Sequence, residues 1–416
     1  MISLGCRLNL AESESLRALL ADEPDLVVVN SCAVTAEAVR QTRQAIRKAR
    51  RARPHARLLV TGCAAEVERE ALAAMPEVDG LVPNARKLDA RLYAGPQIFP
   101  LPLAGGVGVG PVFDPPLART DRPLTPPASR KGTLGHTRAF VPVQNGCDHA
   151  CTFCVIPQGR GPSRSLPVAA VLREVERHLA RGAREVVLTG VDLTSWGHDL
   201  AERPALGALV RAILSAFPEL ARLRLSSLDG IEIDPELFAL LAGEPRVMPH
   251  VHLSLQHGHD LILKRMKRRH SRGQAERLVE ALRARRPGIA FGADLIAGFP
   301  TEDEAMHAAN LSLVRELGIV HCHVFPYSPR PGTPAARMPQ LPAPAIRARA
   351  AELRAAAGKV RRAWLESLVG QPVEVLAEAD GTGHTGAFAR VAVPAGTPRG
   401  ARVIVVPAAL EEGVLR

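Results

Sequence analysis

The chain has 416 residues, 46% of them apolar and 23% charged, enough for two or three average cores and too long for a lone binding module or a disulfide miniprotein. No run approaches the roughly 18 apolar residues of a membrane span, and no basic stretch precedes an apolar run at Met1, so the sequence predicts a soluble cytoplasmic chain without membrane association or export. Lys and Arg number 53 against 42 acidic residues, a net charge of +11, which favours a polyanionic partner such as nucleic acid.

Short apolar runs at 1–4, 26–29 and 58–60 alternate with helical stretches near 12–21 and 36–53, the pattern of parallel βαβ units. Residues 96–127 hold nine prolines and a Gly-Gly-Val-Gly-Val-Gly stretch from Gly105, which reads as a linker. From about 138 the alternation resumes. Strands are expected at 139–144, 185–189, 223–226, 251–255, 289–296 and 320–325, with helices near 168–181, 205–216, 235–242, 273–285 and 303–317. Six strands with five helices suit an incomplete (β/α)6 barrel. After a helix over 343–367, short strands at 373–375, 387–393 and 403–406, broken by Gly-Thr-Gly, Pro-Ala-Gly-Thr-Pro and Arg-Gly, suggest a small β-barrel. The fold class is therefore α/β: an N-terminal parallel α/β domain (1–95), a Pro/Gly-rich linker (96–132), the central incomplete barrel (133–367) and a C-terminal β-barrel (368–416).

Seven cysteines in such a chain point to metal or redox chemistry rather than disulfides. Cys147, Cys151 and Cys154 form a Cys-x3-Cys-x2-Cys loop straight after the first strand of the central domain. Three thiolates can hold three irons of a [4Fe-4S] cluster and leave the fourth open; the competing reading is a structural zinc completed by His149 or a distant ligand. Cys6, Cys32 and Cys63 each follow one of the first three strands, which puts them at one carboxyl edge, where open α/β sheets place ligands. They form a second three-thiolate set, with three unrelated buried cysteines as the bland alternative. Cys322 reads as a buried thiol.

The triplet loop resembles the signature of radical S-adenosylmethionine enzymes, and the two triplets together resemble the methylthiotransferases. The similarity is carried by Ser3-Leu4-Gly5-Cys6-Arg7-Leu8-Asn9, Asn30-Ser31-Cys32-Ala33-Val34-Thr35, Thr61-Gly62-Cys63, the Cys147 loop with Phe153 inside it, and Gly159-Arg160-Gly161-Pro162-Ser163-Arg164-Ser165. The resemblance implies two [4Fe-4S] clusters, S-adenosylmethionine cleaved to a 5'-deoxyadenosyl radical, and a C-terminal segment placed like the RNA-binding TRAM domain. By resemblance Thr189, Gly190, Ser226 and Gly298, which follow barrel strands, line the S-adenosylmethionine site. Among the family's branches, Gly5 to Glu14 and Val324 to Thr333 look most like the branch acting on threonylcarbamoyladenosine beside the tRNA anticodon. The alternatives are isopentenyladenosine in tRNA, an aspartate of a ribosomal protein, or a noncatalytic iron-sulfur RNA-binding protein. The implied partners are tRNA, a reductant protein and a sulfur donor.

Two basic runs are candidate phosphate contacts. Residues 40–57 carry eight Lys or Arg and no acid, with Arg40, Arg43, Arg47 and Arg51 on one helical face; Lys264 to Arg269 follow a barrel strand. The first is equally readable as a solvated helix face, whereas the second, near the barrel mouth, is expected on the tRNA backbone.

Overall fold

The structure, a computed structural model, describes residues 1–94 and 137–416. The linker expected at 96–132 lies outside the described residues. The chain forms two compact units, one comprising Met1–Leu134, Asn145–His149 and Cys154–Arg164, the other Gly135–Gln144, Ala150–Phe153 and Ser165–Arg416.

In the first unit, β1 (Ile2–Ser3), β2 (Leu26–Ser31), β3 (Arg57–Gly62) and β4 (Gly80–Leu81) pair in that order, all parallel. Parallel sheets are covered on both faces, and the alternation divides accordingly. Val27, Val29, Leu58 and Val60 pack with Val39 and Ile46 of α2 (Ala36–Ala52), while Leu26, Val28 and Leu59 pack with Leu16 of α1 (Arg7–Leu19). Thr35 caps α2 by accepting the Ala38 N–H. Helix α1 begins five residues earlier than expected, because its buried face is polar at the start: Asn9, Glu12 and Ser13 are buried, and counting apolar residues misses such a turn. Two short helices, α3 (Cys63–Val67) and α4 (Arg69–Ala73), follow β3, and α5 (Ile156–Arg160) packs against α3.

The second unit is built on parallel strands in two sheets. One holds β5 (Arg138–Pro142), β8 (Glu185–Thr189) and β9 (Arg222–Leu225); two-residue strands β6 (Gln144–Asn145) and β7 (Arg164–Ser165) intervene in the chain. The other holds β10 (Ser227–Leu228), β11 (His250–Gln256), β12 (Ala290–Ala297) and β13 (Ile319–Pro326). Only Ser226 separates β9 from β10. Crossovers are made by α6 (Val168–Ala180), α7 (Leu206–Ala216), α8 (Pro235–Gly243), the pair α9 (Asp260–Arg265) and α10 (Arg272–Arg285), and α11 (Glu304–Glu316).

Helix α12 (Ala343–Glu366) leads into a six-stranded sheet of order β17-β14-β15-β16-β19-β18: β14 (Val373–Ala377), β15 (Thr382–Thr385), β16 (Arg390–Ala392), β17 (Arg402–Val405), β18 (Leu410–Glu411) and β19 (Val414–Leu415). The strand expected over 387–393 starts only at Arg390, and the Gly-Thr-Gly read as a break contributes β15. The reason is close approach: a Cβ on Gly383 would lie 2.3 Å from the Leu376 carbonyl oxygen, so the residue that looked like a breaker is what lets β15 pair with β14. The displaced segment places Phe388 among His250, His321 and Arg224, the Arg224 guanidinium lying 4.1 Å above its ring.

Beneath this contact Glu185 is buried with two arginines. Arg224 Nε donates to it at 2.9 Å and Arg222 lies 3.8 Å away; the same arginines donate to the carbonyls of Gly386 and His384. Deleting one member of a buried charge group leaves the others uncompensated, typically a loss of about 3–5 kcal/mol. Glu185→Ala is therefore expected to lower unfolding free energy in urea by about that amount, and a change below about 1 kcal/mol contradicts this account.

Candidate functional site

Each cysteine of the first triplet stands where a parallel strand gives way to the next segment. Cys6 is exposed at the start of α1, Cys32 follows β2 and is buried, and Cys63 opens α3 and is buried. The backbone passes so near Cys32 that a Cβ on Gly5 would sit 2.8 Å from its Sγ; Gly5 has φ +92°. Two asparagines pin this edge. Asn9 Nδ2 donates to the Leu4 and Ser31 carbonyls, and Asn30 Nδ2 to the Asn9 carbonyl and Ser13 Oγ. Burial pushes the Cys32 thiol up to about 11, and negative charge on Cys63 and Cys6 acts in the same direction.

The cation answering that charge is Arg160. Its buried guanidinium donates to Glu12 at 2.9 Å, Asn145 Oδ1 at 2.8 Å and Asn9 Oδ1 at 2.5 Å, and Glu12 also accepts from buried Lys87. Burial works against the Arg160 cation, and Glu12 first, with any thiolate on Cys63 or Cys6 after it, stabilises it. Arg160 stood within a quoted motif but its role was invisible, since its partners come from residues 151 and 148 positions away.

In the second triplet, Cys147 Sγ accepts the His149 N–H and Cys154 Sγ the Ile156 N–H, each at 3.4 Å. Both cysteines belong to the first unit and Cys151 to the second. Cys151 Sγ lies 3.6 Å from Arg268 Nη1, and Arg268 is fixed from behind by Asp229 Oδ2 and the Ser254 carbonyl, each at 2.9 Å. Thr152 is tied to the end of α9 through the Met266 and Arg265 carbonyls.

The strand-end positions differ in what they offer. Thr189 Oγ1 and Ser226 Oγ are buried with no hydrogen-bond partner among the described residues. Gly190 lies against Gln144, whose Oε1 accepts the Val191 and Asp192 N–H groups at 2.9 Å. Gly298 N–H donates to Glu302 Oε2 at 3.0 Å; this fully buried carboxylate also accepts from His257 and Arg349. Burial pushes His257 below its ordinary value against the pull of Glu302. Sequence reading missed Gln144 and Glu302, although a carboxylate four residues after a strand-end glycine was a usable signal.

The basic runs are corrected. Arg268 is paired with Asp229, Arg269 with Asp229 and Glu232, and Arg265 Nη1 donates to Thr301 Oγ1 at 2.8 Å; of that run Lys264, Lys267 and Arg269 are exposed. On α2, Arg40, Arg43 and Arg47 each face a carboxylate: Glu37, Glu68 and Glu77. The acids that neutralise Arg43 and Arg47 come from later in the chain, beyond the window that looked free of acid. Cys322 is part-buried, and burial pushes its thiol up to about 12.

Residues 141–313 match the radical SAM superfamily, and residues 1–83 match the uncharacterized protein family UPF0004. The chain is 42% identical over 398 residues to a threonylcarbamoyladenosine tRNA methylthiotransferase MtaB of Rickettsia prowazekii, covering 93% of this chain and 89% of the relative. The chain belongs to the radical SAM methylthiotransferase family. A tRNA-2-methylthio-N(6)-dimethylallyladenosine synthase of Cereibacter sphaeroides is 36% identical over 394 residues, 91% of this chain and 86% of the relative. Among solved structures, the radical S-adenosylmethionine methyltransferase TsrM of Kitasatospora setae aligns with a TM-score of 0.53 at 21% identity, over 79% of this chain and 68% of that one, a likeness of fold alone.

Membership in the radical SAM methylthiotransferases implies S-adenosylmethionine and a [4Fe-4S] cluster, and the residues present fit both. Each thiol of the Cys147 loop has an N–H donor beside its sulfur, the kind of contact that orients and tunes a cluster-bound thiolate. The unpartnered hydroxyls of Thr189 and Ser226 are groups a polar ligand would satisfy. No helix among the described residues is long and apolar enough to cross a membrane.

The first unit makes a pH-dependent prediction. Burial by itself would raise the Glu12 carboxyl, but Arg160 and Lys87 override it and hold it at about 2, below its ordinary 4.5. A carboxyl depressed by folding contributes stability that is present above the unfolded value and lost as pH falls through the folded one. The stability gap between apo wild type and Glu12→Gln, about 3 kcal/mol at neutral pH, is expected to close between pH 4.5 and about 2. Denaturant unfolding at stepped pH measures it; a gap independent of pH contradicts the assignment.

Proposed function

We propose that this chain is a tRNA methylthiotransferase that converts the C2–H of N6-threonylcarbamoyladenosine beside the anticodon into C2–SCH3. The observation that carries this reading is the 42% identity, over nearly the whole of both chains, to a threonylcarbamoyladenosine enzyme, against 36% to dimethylallyladenosine enzymes. In this reading Cys147, Cys151 and Cys154 hold the cluster that binds S-adenosylmethionine, and Cys6, Cys32 and Cys63 hold a second [4Fe-4S] cluster. The groups supply, when bound, one-electron cleavage of S-adenosylmethionine and a site for the sulfur to be transferred.

The chain's own residues have separable tasks. Arg268 donates toward Cys151 and stabilises negative charge there; Arg160 does the same for Cys63 and Cys6. Thr189 and Ser226 offer free hydroxyls at strand ends, and Gln144 and Glu302 fix the turns that carry Gly190 and Gly298. The two parallel sheets of the second unit act as an incomplete (β/α)6 barrel, and residues 368–416 act as a TRAM-like RNA-binding domain. Domain limits at 1–95, 133–367 and 368–416, a cytoplasmic location, tRNA as substrate, and a separate reductant and sulfur donor belong to the same reading. A noncatalytic iron-sulfur protein has no use for buried unpartnered hydroxyls at Thr189 and Ser226.

Three measurements test it. Nucleoside mass spectrometry of tRNA from a deletion strain is expected to show threonylcarbamoyladenosine without its methylthio derivative, restored by the wild-type chain and not by Cys32→Ala; a normal level in the deletion strain overturns the reading. Anaerobic reconstitution is expected to load about eight irons, and about four after Cys147, Cys151 and Cys154 are changed to Ala. In Arg268→Met, made in the otherwise wild-type chain, loss of the donor to Cys151 is expected to move the potential of the cluster at Cys147, Cys151 and Cys154 by about 60 mV to more negative values, the one-electron equivalent of a tenfold change. An unmoved potential contradicts the role given to Arg268.

A further inference from the structure

One polar group on the strands of the second unit takes no part in the reading above. Parallel register pairs Gly292 with His321, Asp294 with His323 and Ile296 with Phe325, and Gly292 with His252 on the other side. Paired residues in a parallel sheet share a face, so His252, Asp294 and His323 share one. The opposite face of β12 carries Phe291, which lies under Arg283 of α10 at 5.4 Å. The polar group is thus on the side turned away from the crossover helices.

Its depth follows from its neighbours. One pleat further along, Ile296 and Phe325 belong to the same apolar cluster as Phe299 and Phe153, one of the two residues between Cys151 and Cys154. One pleat earlier, His321 Nε2 bonds the Ala387 carbonyl at 3.0 Å, with Arg361 donating to its Nδ1. Burial pushes His321 down to about 3, so its imidazole is neutral at ordinary pH. The His252, Asp294 and His323 layer lies between this floor and the aromatic layer beside the cysteine loop.

The group is built rather than incidental. Asp294 Oδ1 receives His252 Nε2 at 3.1 Å and His323 Nδ1 at 3.0 Å, and the two rings are 4.8 Å apart. A Cβ on Gly292 would lie 2.4 Å from His252 Nδ1, so glycine there is what lets the ring lie across β12. Burial alone would raise the Asp294 carboxyl, yet the two imidazole hydrogen bonds hold it well below the usual carboxylate range. An ionised carboxylate only accepts, so both facing nitrogens carry hydrogen and the His323 tautomer is set. Its Nε2 is left over. Side-chain exposure rises from 7% at His252 through 21% at Asp294 to 59% at His323, an anchored base with an open tip.

We propose that His252, Asp294 and His323 form the subsite for the polar substituent on N6 of the substrate adenosine, with His323 Nε2 as the group that hydrogen-bonds it. This rests on the threonylcarbamoyladenosine reading. That substituent carries a hydroxyl, a carboxylate and urea N–H groups, whereas a dimethylallyl group offers none of them. C2 and C6 flank N1 in the adenine pyrimidine ring, so the C2–H and C6–N6 bonds diverge at the trigonal angle. A base with C2 directed toward the cysteine loop therefore sends its N6 arm away from it, toward the next layer down. A site that hydrogen-bonds a substrate group strongly rejects an analogue lacking it. Here the specificity residue lies on a rigid strand with its orientation held by Asp294.

The test uses the full-length chain, reconstituted anaerobically, with tRNA carrying threonylcarbamoyladenosine and tRNA carrying dimethylallyladenosine. His323→Leu is expected to lower the ratio of kcat/KM for the first over the second by about ten- to a hundredfold, mainly through KM. His323→Gln, which keeps a hydrogen-bonding group, is expected to recover part of the ratio. Asp294→Asn, which keeps the shape but not the fixed tautomer, should fall between. A ratio unchanged within twofold in His323→Leu overturns the subsite while leaving the functional reading intact. Wild type inert on threonylcarbamoyladenosine tRNA overturns both. One further metal per chain, bound by wild type and lost in His323→Leu, would assign the same three side chains to a metal and also overturn the proposal.

Discussion

Because the strands of both α/β regions pair in parallel, each must be joined to the next by a crossover, and every strand-to-helix turn falls at the same edge of its sheet. Chemistry can therefore be gathered from residues far apart in sequence without long loops. Cys6, Cys32 and Cys63 reach one edge of the first sheet by this rule. Thr189, Ser226 and Gly298 follow strands of the second unit by the same rule, and the His323 layer lies a fixed number of pleats below.

Four of the chain's arginines lie in its interior rather than on its surface. Arg160, Arg222, Arg224 and Arg268 are all largely withdrawn from solvent, and each meets a buried carboxylate: Glu12, Glu185 or Asp229. Removing one partner of such a group is far more damaging than forming the pair is beneficial, which makes these groups specific about geometry. Arginine suits the task because its planar fork meets several acceptors at once, as Arg160 does with Glu12, Asn9 and Asn145. Arg268 extends the same design to a sulfur, held by Asp229 on one side and directed at Cys151 on the other.

The loop at Phe388 couples the C-terminal sheet to the parallel strands of the same unit. Phe388 sits at φ +71°, beneath Arg224 and beside His250 and His321. The strained backbone is held by the Ala389 N–H, which donates to Thr385 Oγ1, and by the buried arginines, which donate to the Gly386 and His384 carbonyls. The floor of the His323 layer is thus supplied by a segment about sixty residues later in the chain, through the Ala387 carbonyl.

Local spacing determined what depends on local spacing. The cysteine triplets, the βα alternation and the strand-end positions were legible because a strand repeats every two residues, a helix every 3.6, and a cluster loop needs fixed intervals. The start of α1 was not, because Asn9, Glu12 and Ser13 are buried for polar reasons. Nor was the role of the basic runs, since Arg43, Arg47 and Arg268 find their acids 25, 30 and 39 residues away. The His252, Asp294 and His323 group was invisible for the same reason: three strands contribute one residue each, and only parallel register and the missing side chain at Gly292 bring them to one carboxylate. The sequence by itself determined which chemistry the chain carries. The tertiary structure decided which charges are spent inside it and which nitrogen remains free, because those depend on partners that sequence separation does not encode.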